Sequence, residues 1–198
     1  GKRLTYARCW VRSSPTDNGY ARPVEGVIAV VDLNKMEVLR VEDYGIVSVP
    51  PNPGNYAAEF VKEFRTDLKP LDIIQPEGPS FQVDGHEVSW QKWNLRIGFT
   101  QREGLVLHNI SYRDQGRQRP IINRAALSEL VVAYGDPGPT NFRRNYFDVG
   151  EEGIGILTNS LALGCDCLGE IYYFDAALND SRGGVMSIAN AICMHEED

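Results

Sequence analysis

The chain has 198 residues, 42% of them hydrophobic and 24% charged, which is enough for one sizeable core or two small ones and excludes a disordered tail. Twenty Lys and Arg against 27 Asp and Glu leave a formal net charge of -7, so no basic field exists to gather phosphates and no nucleic-acid partner is expected. The longest apolar runs, such as Gly26 to Val31, fall far short of the ~20 residues a membrane-spanning helix needs, and we expect no membrane partner. The chain opens on Gly1-Lys2-Arg3-Leu4 without a Met and stops shortly after an apolar, strand-like segment, so it reads as a piece of a longer polypeptide.

Leu4 to Val11 sets Leu4, Tyr6 and Trp10 among small and polar neighbours, the pattern of a half-buried strand. Val24 to Val31 and Met36 to Val41 are β-branched runs separated by Asp32-Leu33-Asn34-Lys35, which predicts an antiparallel hairpin. Pro50-Pro51-Asn52-Pro53-Gly54 interrupts regular structure. Beyond it Asn55 is placed to cap a helix whose stripe is Ala58, Phe60, Val61 and Phe64. Residues 1–75 are therefore expected to form a small α+β domain.

After Pro76-Glu77-Gly78-Pro79 the texture changes to short strands separated by turn residues. Phe81 to Val83 and Val88 to Trp90 flank Asp84-Gly85 as a hairpin, and Asn94 to Phe99, Leu105 to Tyr112, Pro120 to Asn123 and Leu130 to Tyr134 follow. This spacing predicts that residues 76–198 are the first part of a mostly antiparallel β-sandwich rather than βαβ units. Gly153-Ile154-Gly155 lacks the spacing of a dinucleotide-binding loop.

Of the four cysteines, Cys165-Asp166-Cys167 is too tight for the usual half of a zinc site. One of Cys165 or Cys167 is expected to bond Cys193; from Cys167 the loop is 26 positions, rated by the chain-entropy model at roughly 3.5 kcal/mol. Cys9 is expected as a buried thiol. The three histidines, His86, His108 and His195, match no local metal motif, so no metal ligands are assigned. Neither a Gly-x-Ser-x-Gly elbow nor a Cys–His pair with a free thiol is visible. One stretch does point to chemistry: Tyr134-Gly135-Asp136-Pro137-Gly138-Pro139, followed by Asn145-Tyr146-Phe147-Asp148-Val149-Gly150-Glu151. An Asp set between aromatic rings and a glycine turn would be desolvated and so become a stronger base. The competing reading is that Asp148 caps the segment after it.

Several ordered strings carry a resemblance. Gln75-Pro76-Glu77-Gly78-Pro79-Ser80-Phe81, Arg102 to His108, Arg119-Pro120-Ile121-Ile122, the Tyr134-Gly135-Asp136-Pro137 turn, Leu163 to Gly169 and Cys193 to Asp198 together resemble the copper-containing amine oxidases. The similarity runs over essentially the whole chain and is weaker before about Ile74. It implies oxidation of primary amines to aldehydes with release of ammonia and hydrogen peroxide. The cofactors implied are topaquinone, made from the enzyme's own tyrosine, and a copper(II) ion held by three histidines.

Carried over to this sequence, the resemblance makes Asp148 the catalytic base and Tyr134 the tyrosine whose hydroxyl bonds the quinone oxygen. It makes Tyr146 an aromatic gate in the amine channel with Phe147 beside it, and pairs Cys167 with Cys193. The departures matter equally. Asn145-Tyr146-Phe147-Asp148 is the base motif and not the quinone-forming one, and no His-x-His pair is present, so both cofactors are expected from residues outside this chain. The implied partners are a primary amine, oxygen, the remainder of the oxidase as the same polypeptide or a partner chain, and a second copy in a homodimer. Family members occur outside cells, in the periplasm and in peroxisomes. The alternative is an isolated, non-catalytic β-rich module.

Overall fold

The computed structural model describes residues 1–142 and 144–197, so Asp198, the end of the last matching string, lies outside the described residues. The chain divides into two compact units, one of residues 1–69 with 133–144 and the other of residues 70–132 with 145–198.

The first unit is built on an antiparallel sheet of β1 (Leu4–Trp10), β2 (Pro23–Asp32) and β3 (Glu37–Asp43), in that order. The period-two pattern of β2 explains its place in the middle. Ile28, Val30 and Asp32 all face inward and are almost fully buried, while the residues between them are less covered. Buried Asp32 is satisfied locally, accepting the Asn34 N–H at 2.9 Å, and this fixes the turn into β3. A second buried carboxylate, Asp17, accepts the Ser13 and Ser14 amides and the Asn55 side-chain amide, and pairs with Arg22 at 3.1 Å. Those bonds, the Asn55 one foremost, hold its carboxyl below the usual range.

Two expectations for this unit are corrected. Residues 55–64 form no helix; only a turn closes there, with the Phe60 N–H reaching the Ala57 carbonyl at 2.9 Å. Phe60 and Phe64, two members of the expected apolar stripe, are exposed, and an isolated helix this short is marginal without a face to bury. Cys9 is an exposed thiol, on β1 at the edge of the sheet.

The second unit contains a five-stranded antiparallel meander of β4 (Phe81–Asp84), β5 (Glu87–Trp90), β6 (Trp93–Thr100), β7 (Gly104–Asp114) and β8 (Arg117–Ala126). Near the chain's end β11 (Tyr172–Asn179) and β12 (Val185–Met194) pair as a separate hairpin. Phe81, Val88, Ile97 and Phe174 make one buried cluster, with Leu95, Leu107, Ile192 and Met194 packed against it. The meander and the hairpin thus share a core face to face, as the layers of a sandwich do. The architecture is mostly antiparallel β, as expected. Between these layers in sequence lie two short strands, β9 (Val131–Ala133) and β10 (Asn145–Phe147), paired with each other, and then a single π-helical turn at Asp148–Glu152. Among the described residues no helix is long and apolar enough to cross a membrane.

Candidate active site

The π-helical turn is the unusual local structure of the chain, and Asp148 is its first residue. Such turns close i to i+5 and cluster at functional places because they distort the backbone. Here the Gly153 N–H reaches the Asp148 carbonyl at 2.9 Å. Contacts from three sides hold the turn. The Asp148 N–H donates to the Leu130 carbonyl at 3.0 Å, Val149 is buried beneath, and the Ile154 and Ile156 amides donate to the Arg102 and Gln101 carbonyls at 2.8 and 3.1 Å. The last contacts require a glycine at 155, since a Cβ there would lie 2.1 Å from the Thr100 carbonyl oxygen.

The capping reading of Asp148 does not describe this turn. The open amides of Val149 and Gly150 donate instead to the two carboxylate oxygens of Glu129, at 2.8 and 3.1 Å. Asp148 is half-buried, with half-buried Tyr146 and exposed Phe147 on the strand before it, so these rings do not seal its carboxylate within this chain. Tyr146 donates its hydroxyl to Glu152 at the far end of the turn. That bond pushes the phenol up to about 12, with partial burial and the charges of Glu152, Glu151 and Asp148 adding to it. Glu151 turns back to accept the Phe147 N–H at 3.2 Å. Tyr146, Phe147 and Asp148 are therefore carried on one continuous strand-to-turn element.

Tyr134 belongs to the first unit. Its amide donates to the Arg144 carbonyl at 3.1 Å, and the Arg144 guanidinium lies 4.2 Å from its ring centre. The turn after it is rigid: Asp136 accepts the Gly138 amide and the Asn141 side-chain amide, both at 2.7 Å. These two bonds, the Asn141 one foremost, keep the Asp136 carboxyl below its ordinary range.

Cys167 is bonded to Cys193 at the start of the β11–β12 ladder, leaving Cys165 exposed and free. A ring nitrogen of His195 lies within 4.8 Å of both sulfurs, but sulfurs bonded to each other are not thiolate ligands. Copper(II) favours imidazole nitrogen. Yet His86 sits in the β4–β5 turn, stacked on Phe174 at 5.9 Å, His108 lies within β7, and the three-ligand cluster found among the described residues contains His195 as its one histidine. The residues present do not fit a three-histidine copper site. Next to His195, Glu196 accepts the Gln75 side-chain amide, the Ser80 N–H and the Trp90 indole N–H at 2.6, 2.8 and 2.7 Å. These bonds, the Ser80 one foremost, bring its carboxyl down to about 2.

Sequence reasoning missed Glu129, Glu152 and Glu196. Glu152 is local to Tyr146 and becomes visible once the turn is known. Glu129 and Glu196 act across 20 or more positions, where single-sequence periodicity carries no signal.

The family model described as the copper amine oxidase N3 domain matches residues 1–62, and the one described as the copper amine oxidase enzyme domain matches residues 82–198. A primary amine oxidase of Arthrobacter sp. (strain P1) is 55% identical over all of this chain and 31% of its own length. The peroxisomal N-methylputrescine oxidase 1 of Nicotiana tabacum is 52% identical over 93% of this chain and 24% of its own. Among solved structures, a copper-containing benzylamine oxidase from Hansenula polymorpha superposes with a TM-score of 0.73 at 33% identity, covering 100% of this chain and 32% of that one. The chain thus spans about a third or less of the length of the relatives it matches. Matched across its catalytic-type sheet and its small N-terminal sheet alike, this chain belongs to the copper amine oxidase family.

Proposed function

We propose that the chain is the part of a primary amine oxidase that presents the catalytic base, residues 1–75 being a small domain and residues 76–198 the opening of the catalytic domain. The overall reaction takes a primary amine, oxygen and water to an aldehyde, ammonia and hydrogen peroxide. Copper(II) and topaquinone would be supplied by residues outside this chain, and the quinone when present serves as the electron sink. No step is assigned to a metal on these residues, because among the described residues the three histidines do not form one ligand cluster.

What this chain contributes is positioning and proton transfer. Asp148 takes the proton from the carbon bearing the amine, and a carboxylate held at one place does this more effectively than a mobile one. Tyr134 holds the cofactor ring through its hydroxyl, on a turn stiffened by Asp136. Tyr146 and Phe147 line the approach of the amine. The family's homodimer is the assembly we expect. The observation that carries this reading is the pinned π-helical turn, whose amides are capped by Glu129 so that the Asp148 carboxylate is left for chemistry. The test is Asp148→Asn in the whole oxidase polypeptide, mixed with amine without oxygen. Loss of cofactor reduction supports the role, and reduction at the wild-type rate removes it.

A further inference from the structure

We propose that Glu129 is a positioning residue for Asp148: its two-oxygen grip on the turn sets where the base points and thereby the rate of proton removal. The inference rests on the reading of Asp148 as the base.

The physical problem is that a five-residue π-helical turn cannot hold itself. The bond that closes it runs from the Gly153 N–H to the Asp148 carbonyl, and the turn fixes the dihedrals of every residue between. Its leading amides also need acceptors. One dipeptide supplies all three. The Leu130 carbonyl takes the Asp148 N–H at 3.0 Å, Glu129 Oε1 takes the Val149 N–H at 2.8 Å, and Glu129 Oε2 takes the Gly150 N–H at 3.1 Å. Bonds to a carboxylate are about twice as strong as neutral ones, and a bidentate pair fixes orientation as well as distance. Oε1 also accepts the Leu130 N–H at 3.0 Å, which locks the glutamate against its own backbone. Gly150 is fitted to this grip, since a Cβ there would meet Glu129 Oε2 at 2.9 Å. The clamp therefore holds the backbone of the base itself and of the two residues after it.

The consequence is a split between binding and chemistry. Misplacement of a reacting group by about 1 Å can cost ~100-fold in rate without a matching loss of binding. The experiment uses the whole oxidase polypeptide as wild type, Glu129→Gln, Glu129→Ala, Gly150→Ala and Asp148→Asn. Benzylamine is mixed anaerobically with each, and the rate of cofactor reduction is read per site titrated with phenylhydrazine. Glu129→Ala is expected to slow reduction by ~100-fold and Glu129→Gln, which keeps one acceptor oxygen, by ~10-fold. The half-saturating amine concentration should stay within about threefold, and amide exchange should quicken at residues 148–150 alone. A merely structural role would lower the number of titratable sites and leave the rate at each unchanged, which would overturn the proposal. If Glu129→Ala does not fold, Gly150→Ala carries an expectation of the same sign, because it keeps the charge and crowds Glu129 Oε2 out of its place. Asp148→Asn inactive beside Glu129→Ala at the wild-type rate would remove the clamp alone. Asp148→Asn at the wild-type rate would remove the base assignment and the clamp with it.

Discussion

Opening the Cys167–Cys193 bridge should lower the protection of the β11–β12 amides in a way that identifies the bonded sulfurs. In the folded chain the ladder already brings Cys193 opposite Tyr173, so the bond adds little local order there. Its main effect is on the unfolded chain, where it ties together residues 26 positions apart and removes roughly 3.5 kcal/mol of loop-closure entropy. Cys193→Ser in the whole polypeptide should therefore raise the hydrogen-exchange rate of the most protected β11 and β12 amides by about 300-fold, since 1.36 kcal/mol is a factor of ten. Wild-type protein treated with a dithiol reductant should match it, and Cys165→Ser should match untreated wild type. Unchanged protection in Cys193→Ser would refute the entropic argument. Equal losses in Cys165→Ser and Cys193→Ser would mean that Cys165 is the partner.

Two further outcomes follow from charge. Glu196 is held to about 2 against an ordinary 4.5, so its bonds to Ser80, Gln75 and Trp90 stabilise the fold fully above pH 4.5. That contribution falls away as the pH drops from 4.5 through 2, and Glu196→Gln should flatten this part of a stability-against-pH curve measured by chemical denaturation. A Gln variant with an unchanged acid limb would show that the carboxylate is not the acceptor in solution. Glu152→Gln should bring the Tyr146 phenol down from about 12 towards 10, read as an ultraviolet difference titration against Tyr146→Phe. An unmoved titration would mean that Glu152 does not receive the hydroxyl.

The strands were legible where side chains alternate. In β2 the inward set Ile28, Val30, Asp32 is the period-two signal itself, and Asp32 with Asn34 announced the turn beyond it. In the sequence Asp84-Gly85 marks the β4–β5 turn, whereas Asp84 pairs with Glu87 and the loop is Gly85-His86. Tyr172–Asn179 gives only a faint strand signal although Phe174, Ala176 and Leu178 alternate inward, because small Ala176 weakens the contrast. The stripe at 58–64 has helical spacing and no helix, since spacing does not supply a surface to bury Phe60 and Phe64.

The candidate site divides similarly. A three-residue strand and a five-residue turn are too short for any periodicity, so the shape around Asp148 could not be read from the sequence. The residue type and its aromatic neighbours could. Burial of Asp148 was expected from those neighbours, yet Phe147 is exposed and Tyr146 is drawn to Glu152. Glu129 is 20 positions from Val149, and no local rule connects them. Cys9, expected as a buried thiol, is exposed on an edge strand.

Asp148→Asn, prepared as the whole oxidase with its cofactor content verified by phenylhydrazine titration, is the decisive variant. Stopped-flow mixing with benzylamine in the absence of oxygen should show cofactor reduction slowed by at least ~100-fold, the usual contribution of a positioned general base, with the titratable sites retained. Reduction at the wild-type rate would mean that the π-helical turn presents a carboxylate that does not take the proton, and the base would have to be sought outside this chain.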